Sequence, residues 1–401
     1  MVRALPARPG DAAHGRALAA GAAAEALQPH GLGLGARNKA EWDQPATRRH
    51  GLRELHRLHR YGLSIRAPRV LELETHLDFR LHDIEALRWY LTHPFFTGIA
   101  VLVGERIVLE QYAADFGPGQ VHSLQSISKT AAHLMAGRLI SAGVLDPSER
   151  IARYLPEIGP GYAGAIVQDA LDMAIVNDYS EDFYDPAASV GWLEDAHGWR
   201  LANGPAHIDL RSFLTRIGPG AGGNLGRQMH YKSANTDVIA WICERLSHHS
   251  LREHFIDIVE GFGAADTVYL STDRTGIPFV GGGLHMSLRD LARYGLMLGR
   301  AGKSLAGPSV GSREFRDATR RDRAKGTPSL LGSGYYRNFL ESDGTWIGHN
   351  GYGGQWLMVY PDSEIVIACL SGLADDGGLD WGFIRRLAAM GSQLAAALQP
   401  A

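Results

Sequence analysis

Ser126 and Lys129 are the pair of residues whose types and spacing best suit nucleophilic catalysis. They enclose the tetrapeptide Ser-Ile-Ser-Lys at the start of a long apolar run. In a helix, side chains three positions apart lie on one face, so the serine hydroxyl and the lysine ammonium can touch. A serine becomes an effective nucleophile when a neighbouring base takes its proton, and a lysine held away from water can be that base. The tetrapeptide alone is common by chance, and a helix-capping serine beside a solvated lysine is the alternative interpretation.

Two downstream segments strengthen the catalytic interpretation. Tyr231 opens the segment Tyr-Lys-Ser-Ala-Asn-Thr, which leads into an apolar helical run. His349, Asn350 and Gly351 begin the segment His-Asn-Gly-Tyr-Gly-Gly-Gln, which leads into a strand-like run. In order and spacing, the three motifs resemble those of serine β-lactamases and penicillin-binding proteins. The resemblance covers most of the chain after residue 90, and it is closest to the class C-like branch, in particular the nylon-oligomer (6-aminohexanoate-dimer) hydrolases and related carboxylesterases.

The resemblance implies an acyl-enzyme mechanism with a role for each motif. Ser126 would attack a carboxylic ester or amide, while Lys129 and Tyr231 would manage the protons. The backbone N–H groups of Ser126 and Tyr352 would hold the oxyanion, helped at Ser126 by the positive end of a helix. Gly351 would let the substrate approach the strand closely. A buried tyrosine with a purely structural hydrogen bond is the alternative at position 231.

Two departures from the β-lactamase pattern bear on the substrate. Ser233 occupies the motif position at which many β-lactamases have asparagine. His349 replaces the usual lysine of the third motif, which removes a fixed cation that could bind a β-lactam carboxylate. Both changes are typical of the esterase and nylon-oligomer branch. Residues 335–338 lack the substrate-contacting tryptophan that relatives carry near this point, so we expect a substrate other than the nylon dimer.

An acidic segment that ends at Asp195 also resembles the nylon-oligomer hydrolases, in which a mobile-loop tyrosine and a carboxylate hold an amide substrate. Tyr184 and Asp195 match these two residues by spacing. Together with His349, Asn350 and Gly351, they complete the expected substrate-binding set. If the segment folds over the site, its carboxylates favour a substrate with an amine or another cation near the scissile bond. A purely structural acidic surface loop with aromatic anchors is the alternative.

Strand and helix patterns place these motifs in an α+β fold. Residues 99–112 indicate a β-hairpin around Gly104, and strand character returns only after Thr345, in residues 356–360 and 365–370. Helical and loop-rich patterns occupy the middle of the chain. The expected fold class is α+β: an α/β sandwich domain with an antiparallel sheet flanked by helices, as in the β-lactamase/transpeptidase-like fold, plus an all-α domain.

The same patterns predict the domain boundaries. Residues 1–40, rich in Ala, Gly and Pro, are expected to be a poorly ordered leader. Residues 41–147 and 275–401 would form a discontinuous α/β domain, and residues 148–274 a mainly helical insertion. The active site is expected in the cleft between the two, where pockets commonly form.

Composition excludes several classes of function. With 401 residues, 45% of them hydrophobic, the chain is long enough to bury a large core, and its net charge of −3 gives no support for a nucleic-acid partner. Its two cysteines, Cys243 and Cys369, lie in apolar runs and cannot form a disulfide framework. The apolar runs are too short for a membrane helix, and the N-terminal segment lacks a secretory hydrophobic block. We therefore expect a cytoplasmic protein without a membrane partner.

The sequence predicts a serine hydrolase, an esterase or amidase that acts on a small ester or amide through an acyl-enzyme. No metal or organic cofactor is expected, because the paired histidines lack a matching set of carboxylate or cysteine ligands. The same acyl-enzyme discharged on an alcohol or amine would make the protein a biosynthetic transacylase. A β-lactamase or D-aminopeptidase and a non-catalytic binding relative are further alternatives, and the oligomeric state, including a homodimer, stays open.

Overall fold

The computed structural model describes residues 38–185, 187–200, 208–221, 228–375 and 378–399. Its strands are β1 (Gly62–Ile65), β2 (Glu74–Thr75), β3 (Phe96–Val103), β4 (Arg106–Tyr112), β5 (Val121–Ser123), β6 (Val268–Ser271), β7 (Leu284–Ser287), β8 (Thr327–Pro328), β9 (Tyr335–Arg337), β10 (Leu340–Ser342), β11 (Ile347–Gly351), β12 (Gln355–Tyr360) and β13 (Ile365–Ser371).

Its α-helices are α1 (Asn38–Trp42), α2 (Arg48–Leu58), α3 (Glu85–Leu91), α4 (Thr130–Ser141), α5 (Ile151–Tyr154), α6 (Val167–Leu171), α7 (Val190–Ala196), α8 (Leu210–Leu214), α9 (Ser233–Ser247), α10 (Leu251–Phe262), α11 (Leu288–Gly299), α12 (Arg313–Arg321) and α13 (Trp381–Leu398). Short 3₁₀ helices occur at Phe79–Asp83, Gln125–Lys129, Pro160–Tyr162 and Arg323–Lys325. In the described part of the chain, no helix is both long and apolar enough to span a membrane.

The larger sheet is built from both ends of the chain. Within the described residues it has the strand order β2-β4-β3-β13-β12-β11-β10-β9-β8, antiparallel throughout except between β2 and β4. At its centre, β3 pairs with β13, so that Ala100 lies opposite Ala368. This arrangement confirms the predicted α+β class with an antiparallel sheet.

Helices cover both faces of this sheet, which explains why β3 is a continuous apolar run. Ala100 and Leu102 belong to the core that contains α11, whereas Ile99 and Val101 belong to the core that contains α13. Successive strand residues point to opposite faces, and a strand buried on both faces cannot alternate between apolar and polar residues.

A smaller antiparallel sheet positions the first motif. It has the order β1-β6-β7-β5, and its edge strand β5 leads directly into the 3₁₀ helix that contains Ser126. Strand β6 lies within the segment expected to be helical, residues 148–274, and joins β1 and β7 from outside that segment. Strands β6 to β10 precede Thr345, so the prediction that strands return only after this residue is wrong. These strands are two to four residues long and carry no alternating pattern, and the sequence therefore gives no signal for them.

The N-terminal boundary also differs from the expected one. Helix α1 begins at Asn38, inside the expected leader, and Trp42 at its end is buried against Gly51 of α2. The remainder of the expected leader, residues 1–37, lies outside the described residues.

Candidate active site

The first motif lies in a tight turn between β5 and α4. Ser126 and Lys129 both belong to the 3₁₀ helix Gln125–Lys129, and Gln125 has a left-handed φ of 51° at the point where the chain leaves the strand. With three residues per turn, a 3₁₀ helix aligns positions i and i+3. Lys129 Nζ accordingly lies 2.9 Å from Ser126 Oγ. The contact predicted from the spacing is present, in a tighter helix than the α-helix assumed.

Lys129 is fully buried, and its surroundings weaken its ammonium form. Its Nζ also donates to the carbonyl oxygen of Gly281 at 2.6 Å and lies 5.0 Å from the ring centre of Tyr231. Burial lowers the pKa of Lys129 to about 8, although the charges of Glu181 and Asp237 act in the opposite direction. A substantial fraction of Lys129 is therefore neutral near pH 8 and can accept a proton from Ser126.

Tyr231 stands directly beside the nucleophile. Both residues line the same cavity, and burial raises the pKa of the Tyr231 phenol well above the usual value. A tyrosine that remains protonated can donate to a leaving group and regain its proton from a neighbour. The structure therefore brings together Ser126, Lys129 and Tyr231, the three residues predicted to carry the chemistry.

Glu181 is a site residue that the sequence pattern did not single out. Its two carboxylate oxygens accept from the Ser233 backbone N–H at 2.6 Å and from the Ser233 hydroxyl at 2.7 Å. This contact ties the acidic segment to the first residue of α9, which is also the third residue of the second motif. The only sequence signal was the resemblance of the segment to a mobile substrate loop, and spacing selected Tyr184 instead.

The third motif approaches the nucleophile turn at Gly351. A Cβ atom on Gly351 would lie 2.4 Å from the carbonyl oxygen of Leu124 and 3.3 Å from Gln125 Cβ, so only glycine permits this contact. The approach brings the chain just before Tyr352, the expected second oxyanion donor, against the turn that contains Ser126.

His349 and Asn350 have different environments although they are adjacent. Asn350 lines the cavity and donates to the buried carboxylate of Glu341. His349 lies behind it, with Nε2 3.2 Å from the Tyr336 hydroxyl. Burial, followed by the charge of Lys129, lowers the pKa of His349 to about 3. His349 is therefore neutral near pH 7 and does not restore the cation that the β-lactamase lysine would provide.

The site opens into a cavity of about 210 Å³. Ser126, Tyr231 and Ser233 form part of its polar lining. The rings that line it come from distant parts of the chain: Trp42, Phe183, Trp199, Phe279, Tyr352 and Trp381. A small polar end beside a large apolar wall is the usual character of a small-molecule site.

Among the described residues, three carboxylates line the cavity, and each has a protein partner. Glu181 is bound by Ser233, and Glu194 forms ion pairs with Lys39 and Arg200. Burial raises the pKa of the third, Glu341, to about 7.

Tyr184 and Asp195 do not line the cavity in the described structure. Tyr184 is 67% exposed, and its neighbour Phe183 is the residue that reaches the cavity wall. On α7, Val190 and Glu194 share the cavity-facing side, as positions i and i+4 of a helix do, and Asp195 points elsewhere.

Comparisons with known proteins identify relatives of this chain. The beta-lactamase family model matches residues 97–388. The chain is 34% identical over 323 residues to the 6-aminohexanoate-dimer hydrolase of Paenarthrobacter ureafaciens, and the match covers 76% of this chain and 79% of that protein.

Two solved structures share the fold. A protein from Bacillus anthracis described as a 6-aminohexanoate-dimer hydrolase superposes with a TM-score of 0.74 at 18% identity, covering 89% of this chain and 95% of its own. A D-stereospecific amidohydrolase from Streptomyces sp. superposes with a TM-score of 0.56 at 16% identity, covering 77% and 97%. From the family match and the 34% identical hydrolase, we conclude that this chain belongs to the β-lactamase family.

Proposed function

We propose that this protein is a serine hydrolase that cleaves a carboxylic amide or ester through an acyl-enzyme on Ser126. The observation that supports this most directly is the 2.9 Å contact between Ser126 Oγ and the buried Lys129 Nζ. The two family relatives named as a hydrolase of an aminohexanoate dimer and as an amidohydrolase support hydrolysis of an acyl bond.

The proposed reaction begins with neutral Lys129. It takes the proton of Ser126 as the serine oxygen attacks the substrate carbonyl, and the backbone N–H groups of Ser126 and Tyr352 stabilise the resulting oxyanion. Tyr231 passes a proton to the leaving amine or alcohol as the carbonyl re-forms. Lys129 then returns its proton to Tyr231. Water attacks the acyl-enzyme and gives a proton to Lys129, and Ser126 takes this proton as its bond to the acyl carbon breaks and the carboxylic acid leaves.

Replacement of the nucleophile tests this proposal. We expect Ser126→Ala to lower kcat by about a thousandfold or more, because no oxygen remains to form the acyl-enzyme. Intact-mass measurement after incubation with a nitrophenyl ester should show one added acyl group on the wild type and none on the variant. The Tm should change little, because Ser126 is only half-buried.

Ser128→Ala is the matched control in the same turn. Ser128 Oγ accepts from the backbone N–H of Leu284 at 3.1 Å and is buried. Its loss should lower the Tm while acylation persists. Near-wild-type turnover by Ser126→Ala would refute the proposal.

The acceptor of the acyl group is tested separately. A hydrolase should lose the trapped acyl group promptly in buffer alone. An acyl-enzyme that is stable in buffer, but is discharged by an added amine or alcohol, would instead identify a transacylase.

A further inference from the structure

Asp237 is a buried carboxylate behind the catalytic turn that the proposed mechanism does not use. It lies in the second turn of α9 and is 2% exposed. Its Oδ1 accepts from the backbone N–H of Val280 at 3.0 Å and, less closely, from that of Gly281 at 3.4 Å. Burying an ionised carboxylate costs free energy unless hydrogen bonds or an opposite charge compensate for the lost water.

The segment held by Asp237 is the one that holds Lys129. The carbonyl oxygen of Gly281 accepts from Lys129 Nζ at 2.6 Å, and Lys129 Nζ in turn contacts Ser126 Oγ. A Cβ atom on Gly281 would lie 3.3 Å from Asp237 Oδ2 and 2.7 Å from Phe279 Cε2. The Phe279 ring and the Asp237 carboxylate therefore leave no room for a side chain at Gly281.

We propose that Asp237 is a positioning residue for the reaction at Ser126, acting through the Gly281 carbonyl and the charge state of Lys129. This inference rests on the proposed function. It assigns two separable effects to one side chain. The hydrogen bonds from Val280 and Gly281 fix where Lys129 points, and the negative charge stabilises the ammonium form of Lys129.

The titration behaviour of the two groups agrees with this role. Burial raises the pKa of Asp237 to about 8, and the charge of Lys129 opposes that rise. Burial lowers the pKa of Lys129 to about 8, and the charge of Asp237 opposes that fall. Two groups that interact and titrate in the same range gain and lose protons as a pair. Glu181 is the other charged group that acts on both.

Asp237→Asn tests the charge. Asparagine keeps an oxygen for the Val280 N–H but removes the charge that favours protonated Lys129. We expect the acidic limb of the kcat/KM profile to move to lower pH by about one unit, because neutral Lys129 is the active form. The high-pH plateau should stay within about threefold of the wild type, since the backbone remains held.

Gly281→Ala tests the positioning. The added methyl group would lie 2.7 Å from Phe279 Cε2 and 3.2 Å from Ser233 Cβ. A shift of the backbone that relieves this crowding moves the Gly281 carbonyl away from Lys129. We expect the plateau of kcat/KM to fall by about tenfold or more, since small misplacements of a catalytic group have large effects.

Asp290→Asn is the matched control for loss of a buried, amide-binding carboxylate. Asp290 accepts from the N–H groups of Ala265 at 2.9 Å and Asp266 at 2.8 Å, at the start of α11. Its replacement should lower the Tm and leave the acidic limb in place, because it does not contact Lys129 or Gly281 in the described structure.

The outcomes separate this inference from the proposed function. If the wild type forms no acyl-enzyme on Ser126, the proposed function fails. If the wild type is acylated and folded Asp237→Asn keeps the wild-type limb, only the role of Asp237 is overturned. If Asp237→Asn does not fold, the inference is tested with Gly281→Ala alone. A high-pH plateau of kcat/KM equal to that of the wild type in this variant would then overturn the inference.

Discussion

Lys129 links the burial of a single residue to the pH dependence of the whole reaction. Its ammonium group is buried away from water, and this burial lowers its pKa from the usual 10.5 to about 8. The proposed base is the neutral form, so activity should be present above this pKa and lost as the pH falls below it. We expect the rate of Ser126 acylation to fall about tenfold per pH unit below about pH 7.5 and to level off above pH 8.5.

The measurement is the initial rate of nitrophenol release from pH 6 to pH 10. Lys129→Arg provides the control, because arginine keeps the positive charge but does not deprotonate in proteins. That variant should be inactive at every pH. A flat wild-type profile between pH 6 and pH 8 would argue against Lys129 as the base.

Residue types and spacing were sufficient to predict the reacting groups. Ser126 and Lys129 are separated by one turn, so local helix geometry alone brings them together. Tyr231 was found through the order of the motifs. Glu181 was not found, because its contact with Ser233 depends on how an aperiodic loop folds over a helix that begins about fifty residues later in the chain.

At the scale of elements, Glu181, Phe183 and one side of α7 form a wall of the cavity, and the adjacent aromatic residues 183 and 184 have different roles. Phe183 lines the cavity, and its ring centre lies 5.4 Å from that of Tyr352. Tyr184 is exposed to solvent. We expect Phe183→Ala to raise KM by about tenfold, since a lost aromatic contact of this size is worth roughly 1.5–3 kcal/mol.

Tyr184→Ala is the comparison for this prediction. It removes a ring of similar size from the adjacent position and should change KM by less than about twofold. The KM values of both variants with one neutral amide substrate decide the matter. Equal effects at the two positions would show that Tyr184 closes onto the substrate, as the sequence comparison had predicted.

The hairpin of β9 and β10 shows why part of the sheet could not be predicted. Its two loop residues, Asn338 and Phe339, have positive φ values of 52° and 61°. Such a turn usually contains glycine, and phenylalanine gives no turn signal. Here tertiary contacts stabilise the turn instead: Asn338 N–H donates to Asp172 at 3.0 Å, and its side chain donates to Thr319 at 2.7 Å.

At the scale of the whole molecule, buried histidines make the fold sensitive to acid. Burial lowers the pKa values of several histidines in the described residues to between about 3 and 4, namely His59, His122, His133, His197, His254 and His349. The unfolded chain binds these protons near pH 6.5, whereas the folded chain does not. Their contribution to stability is therefore complete above pH 6.5 and is lost as the pH falls toward 3.

Asp237 and Glu341 have raised pKa values and act with the opposite sign, but they are fewer than the histidines. We therefore expect the free energy of unfolding to decrease from pH 6.5 to pH 4.5. Urea titrations at several pH values measure this slope, which reports the number of protons taken up on unfolding. A free energy that is constant over this range would contradict the prediction.

Replacement of His197 should remove one of the protons that the chain takes up on unfolding. Its ring is stacked on Phe279 at 3.9 Å, and neither ring nitrogen has a hydrogen-bond partner in the described structure. His197→Phe keeps a stacked ring and should make the acid slope shallower by about one proton.

The pairing of β3 with β13 has a consequence for the order in which the chain folds. Ribosomes release β3 and β4 long before β13, the strand that pairs with β3 in the larger sheet. Until then the apolar edge of β3 has no partner, and such an edge is prone to aggregation. A chain truncated before Ile365 would still contain Ser126, Lys129 and Tyr231, yet it should accumulate as insoluble protein without esterase activity.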